Sequence, residues 1–123
     1  MSGPNIKRGD ILLVTFPFSD LTSRQVRPAL VLSNDRHNET DPDLVCLMIT
    51  SQALKARSGD FVLRKADPDF GRTGLYHESV FRVSRLASLD ATLAQKRLGT
   101  ASDRILNKVG GKLGELLELP VSS

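Results

Sequence analysis

The chain has 123 residues, of which 40% are hydrophobic and 25% charged, with a net charge of +3. That length buries a core without metal or cross-links, a lone cysteine rules out an internal disulfide, and no apolar run nears the ~20 residues of a membrane span. A pI near 9.4 permits an acidic partner such as RNA without demanding one. Aromatic content of 5%, with no tryptophan, argues against an extended base-stacking platform. The N-terminus lacks the apolar segment of a signal peptide, so a reducing cytoplasm is the expected compartment, with no membrane partner.

Ile11–Phe16 mixes β-branched and apolar residues and meets Pro17, which predicts a strand. Pro17 to Val26 reads as a polar loop. Pro28–Ser33 is a second, nearly continuous apolar strand, and Asn34–Asp43 reads as a loop carrying His37 and Pro42. Leu44–Thr50 is the third strand, with Cys46 expected to pack in the core and stay chemically quiet. Asp60–Arg64 is a short fourth strand, Asp67–Gly74 a long turn, and Ser79–Val83 a fifth strand.

Asp90 is placed to cap a short helix over Ala91–Leu98, with Gly99 as its stop. Thr100 to Asp103 fits a capping box for a final helix, on which Ile105, Val109, Leu113, Leu116 and Leu117 form a stripe. Gly110, Gly111 and Gly114 each cost that helix about 1 kcal/mol relative to alanine, so it either packs very closely there or breaks near Gly110. Short strands first and helices last predict one mainly β domain over residues 1–123. Its expected form is a small, strongly bent antiparallel barrel with a C-terminal helix across it. The first three strands should be sheet neighbours, because short loops join them.

The chemistry concentrates where Arg27 opens the second strand and Thr50 closes the third. A guanidinium offers a planar fork of donors suited to phosphate, and a hydroxyl can add one more hydrogen bond to a phosphoryl oxygen. Because proline cannot donate to a sheet ladder, Pro28 places Arg27 at a strand entrance. The blander reading is a surface arginine paired with Asp10 or Asp20. Thr50 and Ser51 compete for the hydroxyl role, since neighbours on a regular strand point to opposite faces. His37 and His77 titrate near neutrality by type, but loop histidines are more often solvated bystanders. There is no HExxH, CxxC or calcium-loop spacing, and no Gly-x-Ser-x-Gly elbow.

Four segments occur in a telling order. They are Lys7-Arg8-Gly9-Asp10, Val26-Arg27-Pro28, Ile49-Thr50-Ser51-Gln52, and the run from Gly74 to Leu86 followed by Leu89-Asp90. In order and spacing they resemble the MazF/PemK family of toxin endoribonucleases. The resemblance implies an SH3-like barrel and cofactor-free cleavage of single-stranded RNA to a 2′,3′-cyclic phosphate and a 5′-hydroxyl. It also implies a homodimer and a cognate antitoxin. It assigns catalysis to Arg27 and Thr50, and the expected RNA contacts are Ser23, Arg24, Ser51, Gln52 and Arg82. Some members carry an acid shortly before the motif arginine. Here Arg24 occupies that stretch, which leaves the proton acceptor unassigned. The rival reading is a non-catalytic toxin on the same barrel, such as a topoisomerase poison.

Overall fold

The computed structural model describes residues 5–16 and 25–120. Six strands form one antiparallel sheet: β1 (Asp10–Phe16), β2 (Gln25–Val31), β3 (Asp43–Thr50), β4 (Phe61–Leu63), β5 (Ser79–Asp90) and β6 (Ala94–Thr100). Their spatial order is β4-β5-β3-β2-β1-β6, so the first three strands are neighbours as their short connections require. The sheet is bent but not closed into a barrel, with β4 and β6 as its two edges. Two helices accompany it, α1 (Asp35–Thr40) and α2 (Asp103–Leu117).

Alternation along the strands sends apolar residues to both faces, so the sheet carries two cores. Leu12, Val14, Ala29, Val31, Leu44 and Cys46 belong to one. Ile11, Leu30, Leu47, Ile49 and Phe81 belong to the other, where Ile105 and Val109 of α2 complete the packing. Cys46 is buried as expected, and burial pushes its thiol up to about 12, so it stays protonated at neutral pH.

The bends are bulges. Leu47 pairs with Leu86 while Ile49 pairs with Phe81, so β5 carries extra residues at this step. On β6, Ile11 pairs with Gly99 but Leu12 with Arg97, and Leu13 with Lys96 but Val14 with Ala94. Each extra residue increases local twist and re-aims its neighbours.

Five expectations need correcting. Asn34–Asp43 is not a plain loop: the Asn34 side chain accepts from the His37 amide at 2.8 Å and starts α1. Ala91–Leu98 is not a helix. Asp90 caps only a 3₁₀ turn over Ala91–Leu93, and the chain then pairs with β1 as β6. Its helix-favouring composition is overridden because β1 would otherwise expose an unpaired edge. The final helix is capped by Ser102, which accepts from the Ile105 amide, and not by Thr100. On that helix, α2, the predicted stripe is only half buried, with Leu116 and Leu117 about 50% exposed. The helix runs unbroken through its glycines, and a Cβ on Gly110, Gly111 or Gly114 would meet nothing within 4 Å. Neither a break nor close packing explains them.

Polar contacts tie the periphery down. Asp10, 3% exposed, accepts from Arg97 at 2.9 Å and from the Lys7 amide at 2.8 Å. Asp69 accepts from the Ser102 hydroxyl at 2.7 Å and pairs with Arg104, which also reaches Asp67. Those bonds hold Asp69 below the usual carboxylate range, the Ser102 hydroxyl contributing most. No helix among the described residues is long and apolar enough to cross a membrane.

Candidate active site

The site arises where the sheet comes apart. β2 pairs with β1 at Val14↔Arg27 and Leu13↔Pro28, but its pairing with β3 runs only from Val31↔Cys46 to Ala29↔Met48. Proline has no N–H, so Pro28 cannot extend the ladder toward β3. Beyond that point β3 stays with β5, through Ile49↔Phe81 and Thr50↔Val80. Continuing the β2–β3 register past Ala29 would set Pro28 opposite Ile49 and Arg27 opposite Thr50. The strands part instead, and the opening becomes a pocket of about 310 Å³.

Val26, Arg27 and Pro28 from β2 line this pocket together with Ile49, Thr50 and Ser51 from β3 and its exit. Leu13, Leu75 and Leu98 add apolar surface, while Tyr76, His77 and Lys96 add polar and aromatic groups. Arg27 therefore lies within β2 rather than at its entrance. Its strand is paired with β1 there.

Thr50 and Ser51 both line the pocket. The alternation argument does not separate them because β3 ends at Thr50, so Ser51 is already outside the regular strand. The Thr50 hydroxyl also accepts from the Gln52 amide at 3.4 Å, a weak contact that turns the chain out of the strand. Gln52 lies off the pocket, in an adjoining groove of about 730 Å³ that it shares with Ser51, Lys55, Lys65, His77 and Glu78.

The remaining expected RNA contacts fare differently. Ser23 and Arg24 lie outside the described residues, as does Asp20. Asp10 is engaged by Arg97. Arg82 does not line the pocket: it pairs with Asp60 at 3.0 Å and donates to the Lys55 carbonyl at 3.2 Å. With Arg82 12% and Asp60 3% exposed at the side chain, this is a buried pair that holds the Ala53–Lys55 turn beside the groove.

Sequence reasoning misses two residues of the pocket and sets a third, His77, aside. Lys96 and Leu98 fall in the stretch expected to be helical, and the β6 bulges aim that stretch at the site. His77 and His37 look alike in sequence, yet the two part company. His37 sits in α1, with its Nε2 2.9 Å from the Asp43 carbonyl. His77 lines both the pocket and the groove. Its turn is pinned by close backbone contact: Gly74 has φ +72°, and a Cβ there would lie 1.9 Å from the Leu98 carbonyl oxygen. Gly99 mirrors it, with a Cβ 2.4 Å from the Arg72 carbonyl oxygen. Only glycine allows the two segments to cross so closely.

The fold has known counterparts. MazF from Deinococcus radiodurans is 27% identical over 93% of this chain and 97% of its own, with a TM-score of 0.74. A MazE–MazF crystal structure from the same organism matches at 27% identity over 94% and 97%, with a TM-score of 0.75. An endoribonuclease from a mycobacterial species, solved with its cognate antitoxin, shares the fold at 19% identity over 95% and 97%, with a TM-score of 0.70. No curated protein sequence matches the chain. The model of the PemK-like, MazF-like toxins of type II toxin–antitoxin systems matches residues 7–117. With that match over most of its length, and with the strand order and pocket just described, the chain belongs to the PemK/MazF toxin family.

Proposed function

We propose that this chain is the toxin of a type II toxin–antitoxin pair and acts as a metal-independent, sequence-specific endoribonuclease on single-stranded RNA in the cytoplasm. The observation that carries the reading is that Arg27 and Thr50 both line one pocket, where β2 and β3 separate. RNA brings its own nucleophile. When the 2′-hydroxyl attacks the adjacent phosphate, negative charge builds on the phosphoryl oxygens, and a preorganised guanidinium with a nearby hydroxyl stabilises it. The products are a 2′,3′-cyclic phosphate and a 5′-hydroxyl. Lys96 beside the pocket and Lys55 and Lys65 in the groove supply positive charge along a path for the backbone. Contacts in the pocket and groove would select the bases.

Relatives solved with antitoxins support a cognate antitoxin as partner, and membership of the family adds a homodimer as the working form. The exposed Leu116 and Leu117 at the end of α2, with Leu119 just beyond it, offer apolar surface for such contacts. A topoisomerase poison acting by binding alone would not need Arg27 and Thr50 in one pocket.

The test is incubation of purified protein with mixed RNA in EDTA, followed by mapping of the ends. Arg27→Ala is expected to lower cleavage roughly 10²-fold or more, the scale for losing one transition-state donor. Arg27→Lys should stay low, because a point charge does not reproduce the two-pronged contact. Thr50→Val should slow turnover with RNA still bound, and its effect should add less than fully to that of Arg27→Ala. Undiminished cleavage by Arg27→Ala would overturn the assignment.

A further inference from the structure

We propose that His77 protonates the leaving 5′ oxygen when this site cleaves RNA, an inference that rests on the endoribonuclease reading above. The reaction needs a proton donor, and the described lining of the pocket contains no carboxylate. Its other acidic or basic groups are the guanidinium of Arg27, the ammonium of Lys96 and the phenol of Tyr76, types that ordinarily part with a proton only well above neutral pH. Imidazole is the side chain that both holds and releases a proton near neutrality.

Position agrees with type. His77 and Ser51 are the two residues shared by the pocket and the groove, so they mark the boundary between them. A strand with the nucleotide bearing the attacking 2′-hydroxyl in the pocket, and the next nucleotide in the groove, crosses this boundary at the scissile phosphate. The P–O5′ bond then lies beside His77. The turn that carries the imidazole is braced on both sides. The Ser79 hydroxyl donates to the His77 carbonyl at 2.7 Å, and Gly74 rests on the Leu98 carbonyl.

The charged groups bordering these two depressions are Arg27 on β2, Lys96 on β6, Lys55 and Lys65 along the groove, and the neighbouring Glu78. Glu78 is itself occupied, 3.6 Å from the Arg64 guanidinium and accepting from the Lys65 amide at 3.2 Å.

In the step, the O2′–P bond forms and the P–O5′ bond breaks. The 2′ proton passes to water, the electron pair left on O5′ takes the proton of the His77 imidazolium, and the imidazole recovers a proton from water. No oxidant or metal enters the balance.

The experiment compares ordinary RNA with RNA whose scissile 5′ oxygen is replaced by sulfur, because a thiolate leaves without being protonated. His77→Gln, with His77→Asn as a second variant, should slow cleavage of the oxygen substrate about 10²-fold, the lower end for general acid catalysis. Both should cleave the sulfur substrate within a few-fold of the unmodified protein and bind a non-cleavable 2′-deoxy analogue equally well. Equal losses on the two substrates, or no loss on ordinary RNA, would overturn the proposal. If the unmodified protein cuts neither substrate, the endoribonuclease reading falls and this inference with it. Retained cleavage that is merely insensitive to His77 removes the inference alone.

Discussion

Two stretches of one sheet face, two residues apart along the same strands, have opposite fates. At Ile11, Leu30 and Leu47 the face is covered by Ile105 and Val109 of α2, and every one of these side chains is fully buried. At Leu13, Pro28 and Ile49 the covering comes from a turn at residues 74–77 and the bulged β6, and a pocket remains. The covered stretch has continuous pairing between β2 and β3; the open one begins where Pro28 interrupts it. A packed core and an open pocket thus lie side by side along the same strands, and a single missing donor marks the division. Stability should depend on the first stretch and chemistry on the second.

The largest effect that would break this division belongs to the covered stretch. Ile105→Ala removes a fully buried side chain and should cost about 2–5 kcal/mol in denaturant unfolding, while the molecules that remain folded cleave RNA at the original rate. A large fall in turnover of the folded fraction would show that the two stretches are coupled.

Gly99→Ala probes the boundary between them. Its new methyl would collide with the backbone of Arg72 and Thr73, atoms that cannot swing aside, so roughly 1–3 kcal/mol of stability should be lost. Because the same crossing holds the turn bearing Tyr76 and His77, cleavage should fall as well, unlike in Ile105→Ala. Stability lost with activity intact would mean that the turn does not shape the site.

The smallest effect has the opposite sign. Gly111 lies on the exposed side of α2 with open space around its absent Cβ, so Gly111→Ala should raise stability by up to about 1 kcal/mol and leave cleavage unchanged. A destabilised variant would show that the α2 surface carries a contact made only in a larger assembly.

Much of this is legible in the chain. Alternation and β-branched content locate β1, β2 and β3, and the buried Cys46 follows from its apolar run. Arg27 and Thr50 emerge from motif order, and both line the pocket. What the chain conceals, it conceals for identifiable reasons. The stretch from Ala91 to Leu98 has helical composition, but an unpaired β1 edge recruits most of it as a strand. The α1 helix is signalled by Asn34 and Asp35, yet at six residues it is too short for periodicity to register. Arg82 looks like a free cation until Asp60, distant in sequence, closes on it.

Local sequence determined which segments are extended, where proline and glycine interrupt them, and which residue types can handle a phosphate, because those properties reside in single residues and short periods. Tertiary structure decided which of those residues meet. That Arg27 and Thr50 line one pocket depends on where β2 and β3 part beyond Ala29. The arrival of His77 and Lys96 depends on a backbone crossing at Gly74 and Gly99 and on bulges in β6. Such contacts are set by the packing of the whole sheet, which no short window of sequence encodes.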